Sequence, residues 1–308
     1  MPRSRRRGNW HPHRRSKTAK SSPTIYHLDT FSLEDVQRWK RGQEEFIRFY
    51  WDWYSELAFQ RAKIMPDIKA TLLEASIGPF EFSGYQRAVK YRWSNDPLSV
   101  VGSVSDIGGR FNIGNIDGTK FPVFPALYLG QDRLTSLQEL MQVNPEGVGE
   151  LTAEEMALTD KASISVVSVY GSLETIIDLD QPQRLKPFVN LIKDFKVSDS
   201  ILRAGKKLGI NANAARNVEE LMPTLLDHEW RKQPMHVDVP ANSQIFGQLV
   251  SAAGIEGIKY PSKYTGNKCL VVYPQSFHDP DSFVQLTDAA PAEVKRVRLD
   301  SKTASQEH

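Results

Sequence analysis

The chain has 308 residues, 40% of them hydrophobic and 10% aromatic, which suits one large domain or a domain with an added segment. A formal net charge of +2 gives no global pull toward nucleic acid, and a single cysteine, Cys269, excludes an internal disulfide framework and fits a reducing compartment. With no run of eighteen apolar residues and no hydrophobic leader at the N-terminus, a cytoplasmic protein without a membrane span is expected.

The charge is unevenly spread. Residues 1–20 carry eight Lys/Arg (Arg3, Arg5, Arg6, Arg7, Arg14, Arg15, Lys17 and Lys20) and no acid; removing these eight from the 39 basic residues leaves 31 against 37 acidic ones. Residues 1–24 are therefore expected to form a basic disordered tail, with weak polyanion or nucleic-acid contact through residues 1–20 as its functional reading. From Ser32 the pattern changes. Val36, Trp39, Gln43, Phe46, Tyr50, Tyr54 and Leu57 recur at three to four residues, predicting an amphipathic helix with an aromatic stripe that ends at Pro66. Ile68–Ala75 reads as a second helix, and Gly78-Pro79 marks a junction, so 25–80 is taken as a helical N-terminal extension.

Tyr85–Trp93 is a predicted strand with Arg92 near its exit. Gly108-Gly109-Arg110-Phe111-Asn112 comes after it; its two glycines permit close backbone approach to a ligand, and Arg110 offers a five-donor fork for phosphate or carboxylate. Phe124–Leu129 reads as a strand presenting Tyr128, and Thr135–Met141 as a helix bearing Glu139. Each residue also has an ordinary account: a surface arginine, a core tyrosine, a solvated carboxylate. A loop at 144–147 and a helix cap at Thr152–Glu155 come next. Ser163–Tyr170 and Thr175–Leu179 are β-branched and strand-like, and 181–235 reads as interrupted helix. Ile245–Ala253 is a predicted helix, Gly257–Ser262 a strand into a turn, Lys268–Tyr273 a buried strand, and the segment from Asp288 a ragged charged tail. Without regular βαβ alternation the fold class is α+β.

Several familiar sites are ruled out. Gly109 to Gly114 has the glycine spacing of a phosphate loop, but Asn115-Ile116 stands where Lys-Ser/Thr is needed. The seven histidines show no ligand spacing, so no metal is expected.

Jointly, GGRFN, the strand to Tyr128, the helix with Glu139, the Thr175–Asp180 strand and the closing Ala252–Ser262 plus Cys269–Pro274 run resemble the RES-domain family. The departures are Phe111 where Trp is usual, kept as an aromatic shelf, a longer loop between Asn112 and Tyr128, and the helical extension. The resemblance implies a single RES domain over 81–286, similar to the ADP-ribosyltransferase fold, followed by a tail at 287–308. It implies an enzyme acting on NAD⁺ as substrate, cleaving the nicotinamide–ribose bond by phosphorolysis (inorganic phosphate as co-substrate) or hydrolysis, or transferring ADP-ribose to a protein. It also implies a growth-inhibiting toxin with an Xre-type helix-turn-helix antitoxin as partner; a homo-oligomer stays open, and a catalytically silent module binding nucleic acid through its tail is the alternative. Carried over residue by residue, Arg110, Tyr128, Glu139 and Ser262 occupy the catalytic positions, and Arg92, Gly109, Asn112 and Gln244 the substrate-binding ones.

Overall fold

A computed structural model describes residues 33–141, 164–278 and 280–304. The basic tail over residues 1–24, the loop at 144–147 and the helix cap at Thr152–Glu155 lie outside these described residues. The chain divides into two compact units, Met1–Glu44 and Glu45–His308. Of the first unit only residues 33–44 are described, and they are helical. Among the described residues every strand belongs to the second unit.

The first helix, α1 (Leu33–Lys63), ends with Arg61 and Lys63 in its last turn, where cations complement the helix dipole. Helix α2 (Met65–Ala75) begins immediately afterwards. Pro66 lies in the first turn of α2, where its missing N–H costs nothing, so it opens the second helix as well as closing the first. Phe49 on α1 packs with Ile201 and Ala212.

An eight-stranded sheet forms the centre: β1 (Phe80–Lys90), β2 (Leu127–Gly130), β3 (Ile164–Leu173), β4 (Ile176–Asp178), β5 (Gly257–Pro261), β6 (Lys268–Val272), β7 (Phe283–Leu286) and β8 (Arg298–Asp300). Their order is β4-β5-β6-β2-β1-β3-β7-β8, antiparallel throughout except for β4 with β5. Among the described residues the remaining α-helices are α3 (Arg133–Met141), α4 (Lys186–Ile192), α5 (Asp199–Leu208), α6 (Val218–Leu225), α7 (Lys232–Val237), α8 (Asn242–Ala252) and α9 (Ser301–Ala304). The architecture is α+β.

Strand β6 explains why Cys-Leu-Val-Val is a continuous apolar run. Cys269 and Val271 enter a core shared with α2, α4, α6 and α8, while Leu270 and Val272 enter a second core with β1, β2, β3 and β7. Side chains alternate across a strand, so a strand covered on both faces must be apolar at every position. Burial beside these neighbours pushes the Cys269 thiol well above its ordinary range.

Two expectations are corrected. The first strand starts at Phe80 and stops at Lys90, so Arg92 sits in a 3-10 turn, Tyr91–Trp93, rather than on the strand. Over its described residues the segment after Asp288 is not ragged, because β8 pairs with β7 and buries Leu299 completely. A three-residue strand between charged stretches carries too little periodicity to be read from sequence; pairing with β7 supplies what its own pattern lacks.

Candidate active site

The loop that leaves Asp106 and rejoins the sheet at Ala126 is built around its glycines. Gly108 has φ +95°, and a Cβ there would stand 2.3 Å from the Asn112 carbonyl oxygen. At Gly109 a Cβ would come within 2.3 Å of the Tyr128 hydroxyl, so glycine lets the chain pass directly over that ring. Asn112 is fully buried and ties the loop together. Its Oδ1 accepts from the Gly109 amide (2.8 Å) and the Tyr128 hydroxyl (2.9 Å), and its Nδ2 donates to the Ser103 and Phe124 carbonyls (both 3.0 Å). The Tyr128 hydroxyl in turn accepts from the Phe111 amide at 3.0 Å. Burial pushes the Tyr128 phenol far above its usual range, so it remains a neutral donor and cannot serve as a base. From the other side the Gln244 amide nitrogen donates to the carbonyls of Ile107 (2.8 Å), Asn112 (3.0 Å) and Gly109 (3.1 Å). Arg110 is thus presented by a loop whose polar groups are satisfied by its own Asn112 together with Ser103, Tyr128 and Gln244.

Glu139 arrives on α3. Asp132 begins that helix, its carboxylate accepting from the Thr135 amide and hydroxyl (both 2.8 Å), and Asn267 donates to the same carboxylate at 2.8 Å. The Thr135 and Thr265 hydroxyls are 2.9 Å apart, so the start of α3 is bound to the turn after β5. That turn holds Ser262, which is 4% exposed and donates from Oγ to Glu139 Oε1 at 2.6 Å. Ser262 Oγ also accepts from the Tyr264 amide at 3.1 Å. Among the described residues Glu139 Oε2 has no protein partner.

A third segment completes the site. The turn Asp227–Arg231 offers its Asp227 carbonyl to Arg110 (2.8 Å) and its His228 carbonyl to Lys263 (3.3 Å), and contributes Arg231 itself. Three cations from three parts of the chain therefore converge on one turn. Burial first, and then the neighbouring Arg110 and Arg231 charges, lower the Lys263 ammonium's pKa below that of an ordinary lysine. Arg231 is lowered chiefly by burial, with Arg110 adding to it. Tyr264 is pushed up to about 12 by burial and the Glu139 charge.

These groups line one cavity of about 410 Å³. Among the described residues, Lys90, Arg92, Arg110, Arg231 and Lys263 stand on its walls with two carboxylates, Glu139 and Asp106. Arg87 also borders it, but is spent on the carbonyls of Pro97, Ser99 and Tyr128. Trp93, Trp230 and Tyr264 add aromatic surface. A cationic cavity with aromatic walls and one tethered carboxylate suits an anionic, ring-bearing ligand.

A family model for the RES domain matches residues 85–294, a span that takes in the whole cavity. The chain belongs to the RES-domain family. Among solved structures it is similar, at 16% identity, to a chain in the crystal structure of the M. tuberculosis MbcT-MbcA toxin-antitoxin complex. That match covers 78% of this chain and 97% of the other, with a TM-score of 0.40. No curated protein matches the sequence.

Within this RES domain the structure sorts the expected site residues into two layers. Arg92, Gly109, Arg110, Tyr128 and Glu139 line the cavity. Ser262, Asn112 and Gln244 stand behind it, holding Glu139 and the arginine loop. Phe111, expected as an aromatic shelf, is completely buried and meets Tyr260 edge-on at 4.9 Å, so it belongs to the RES core. Arg231 and Trp230 carry no mark in the sequence that singles them out. Lys263 directly follows Ser262 and was within reach of a motif argument; Arg231 lies in the interrupted helical stretch, where no local pattern marks it.

Proposed function

We propose that this RES domain cleaves the nicotinamide–ribose bond of NAD⁺, with inorganic phosphate as the preferred acceptor. The observation that carries the reading is Glu139: a carboxylate tethered by Ser262 in a cavity whose other charges are mostly cationic. The cations suit the diphosphate of a dinucleotide, with Arg110 able to bind it bidentately and Arg92, Arg231 and Lys263 adding further contacts. Two phosphates offset only part of that charge, and the surplus favours a third as co-substrate.

The chemistry follows from the leaving group. As the C1′–N bond breaks, nicotinamide departs with the electron pair as a neutral base and needs no general acid. The ribose gains oxocarbenium character, which the Glu139 carboxylate stabilises electrostatically. A phosphate oxygen then bonds to C1′, yielding ADP-ribose carrying a new phosphate. Tyr128 offers its ring while its hydroxyl stays bonded to Asn112 and Phe111. Ser262 acts as a positioning residue, fixing the carboxylate. Loss of cellular NAD⁺ makes such an enzyme growth-inhibiting, and an Xre-type antitoxin is the partner we propose to restrain it.

Nicotinamide release by the purified full chain, with and without inorganic phosphate, tests this beside Arg110→Ala. Release that depends on phosphate and is lost in the variant is expected. Release indifferent to phosphate would replace phosphorolysis by hydrolysis, and labelling of a protein acceptor would replace it by transfer. No release under any condition would overturn the proposed cleavage.

A further inference from the structure

The Asp106–Ala126 loop has a second attachment, through residues that do not line the cavity. Phe121, 3% exposed, sits against α1: its ring stacks on Trp51 (centroids 5.6 Å apart, 25° between planes) and meets Tyr54 edge-on at 5.4 Å. Lys120 Nζ lies 4.6 Å from the centroid of the Trp51 ring. The turn that presents Phe121 is held by Asp117. Its carbonyl accepts from the Lys120 and Phe121 amides (both 3.0 Å), and its carboxylate takes Thr119 Oγ1 (2.6 Å) and Lys120 Nζ (2.7 Å). The same two partners, Lys120 first, hold that carboxyl down at about 2.

From Phe121 the attachment runs back to the arginine through short hydrogen-bonded steps. The Phe124 amide donates to Ile113 at 3.2 Å, and the Phe124 carbonyl accepts from Asn112. Asn112 in turn holds the Gly109 amide and the Tyr128 hydroxyl on either side of Arg110. The post itself is fixed. Gln60 on α1 exchanges two bonds with Lys196 (2.7 and 2.8 Å), and Glu56 accepts from the Ser198 amide at 3.0 Å. The aromatic residues of α1 therefore split between two tasks, and two of them lie off the expected stripe: Phe49 enters the packing around Ile201 and Ala212, whereas Trp51, with Tyr54 of the stripe, receives the loop. Arg110 needs such support, because Arg231 and Lys263 repel it and the glycines beside it provide little stiffness.

We propose that Trp51, Tyr54 and Phe121 are positioning residues for Arg110, so that α1, which lies upstream of the family-matched span, is a working part of the site. The kinetic consequence rests on the NAD⁺-cleaving reading above; the positioning itself does not. The test compares hydrogen exchange over 108–115 and nicotinamide release in the full chain, Trp51→Ala, Phe121→Ala and the double variant. Phe59→Ala serves as control, since Phe59 is 73% exposed on the same helix. Each single variant is expected to speed exchange over 108–115 and to lower kcat/KM about tenfold, the scale of a misplaced binding group. The double variant should do no more than either single one, and the control should change neither readout. Trp51→Ala, at a half-exposed residue, keeps the test valid should Phe121→Ala unfold. Unchanged exchange over 108–115 in Trp51→Ala, or effects of the two residues that simply add, would overturn the proposal. Absence of nicotinamide release from the unmodified chain would remove the proposed reaction, while the exchange data would still decide whether α1 holds the loop.

Discussion

The Asp106–Ala126 loop and the Asp227–Arg231 turn both shape the cavity, but by different means. The loop is organised largely by its own sequence: Gly109, Phe111, Asn112 and the following Tyr128 bond to one another over fewer than twenty-five residues, and Gln244 closes it from behind. The turn has less internal bonding of its own, from the Glu229 amide to the Asp227 carboxylate at 2.8 Å. Its contribution is two main-chain carbonyls and one guanidinium, and it matters because Arg110 and Lys263 come to it from distant parts of the chain. A local motif fixes geometry, whereas a remote turn fixes charge.

Substitutions can pull these contributions apart. The largest effect is expected at neither region but at the carboxylate they surround: Glu139→Gln should lower kcat about 100-fold or more, the range for losing a group that stabilises transition-state charge, with thermal stability little changed. Next, Gly109→Ala forces a Cβ to 2.3 Å from the Tyr128 hydroxyl. It should cost about 1–3 kcal/mol in denaturant unfolding and abolish most turnover, because overpacking displaces the arginine loop itself. Ser262→Ala leaves the cavity lining intact and removes the 2.6 Å bond to Glu139, so kcat should fall about tenfold with KM nearly constant. If KM rose instead, Ser262 would be touching substrate and the two-layer arrangement would be wrong.

The turn should respond differently. Arg231→Gln is expected to raise KM by up to about tenfold and leave kcat within a few-fold, the signature of lost uniform binding. The smallest effect is a pH dependence. Because burial and neighbouring cations lower the Lys263 pKa, its charge is lost at lower pH than an ordinary lysine's, and affinity for an anionic substrate should weaken on that earlier alkaline limb. Lys263→Arg should push the weakening to higher pH; an unaltered KM profile would show that Lys263 does not contact the substrate. For folding the sign is opposite: the unfolded chain binds the proton more tightly, so this group's penalty is present at low pH and fades as pH rises toward the unfolded lysine value.

Much of the fold can be read directly from the chain because it rests on short-range pattern. Alternating or continuous apolar runs announce β3, β5 and β6, the 3.6-residue stripe announces α1, and the glycine pair announces a loop of special geometry. The strands β7 and β8 are too short and too mixed in composition to announce themselves. The motif also concealed the division of labour among its members. Phe111 and Asn112 stand beside Arg110 in sequence, yet one is core and the other a brace, because the turn that sets the arginine, itself only 7% exposed, on the cavity wall buries both neighbours completely.

The resemblance of a few short motifs marked out the RES family and, with it, Arg110, Tyr128 and Glu139 as candidates; residue type and spacing by themselves only made that constellation plausible. Only the tertiary structure set Ser262 on Glu139, Gln244 beneath the arginine loop, Arg231 and Lys263 beside Arg110, and Phe121 against α1. Those arrangements depend on contacts between segments tens to more than a hundred residues apart. Packing and hydrogen-bond satisfaction choose them only when the whole core closes.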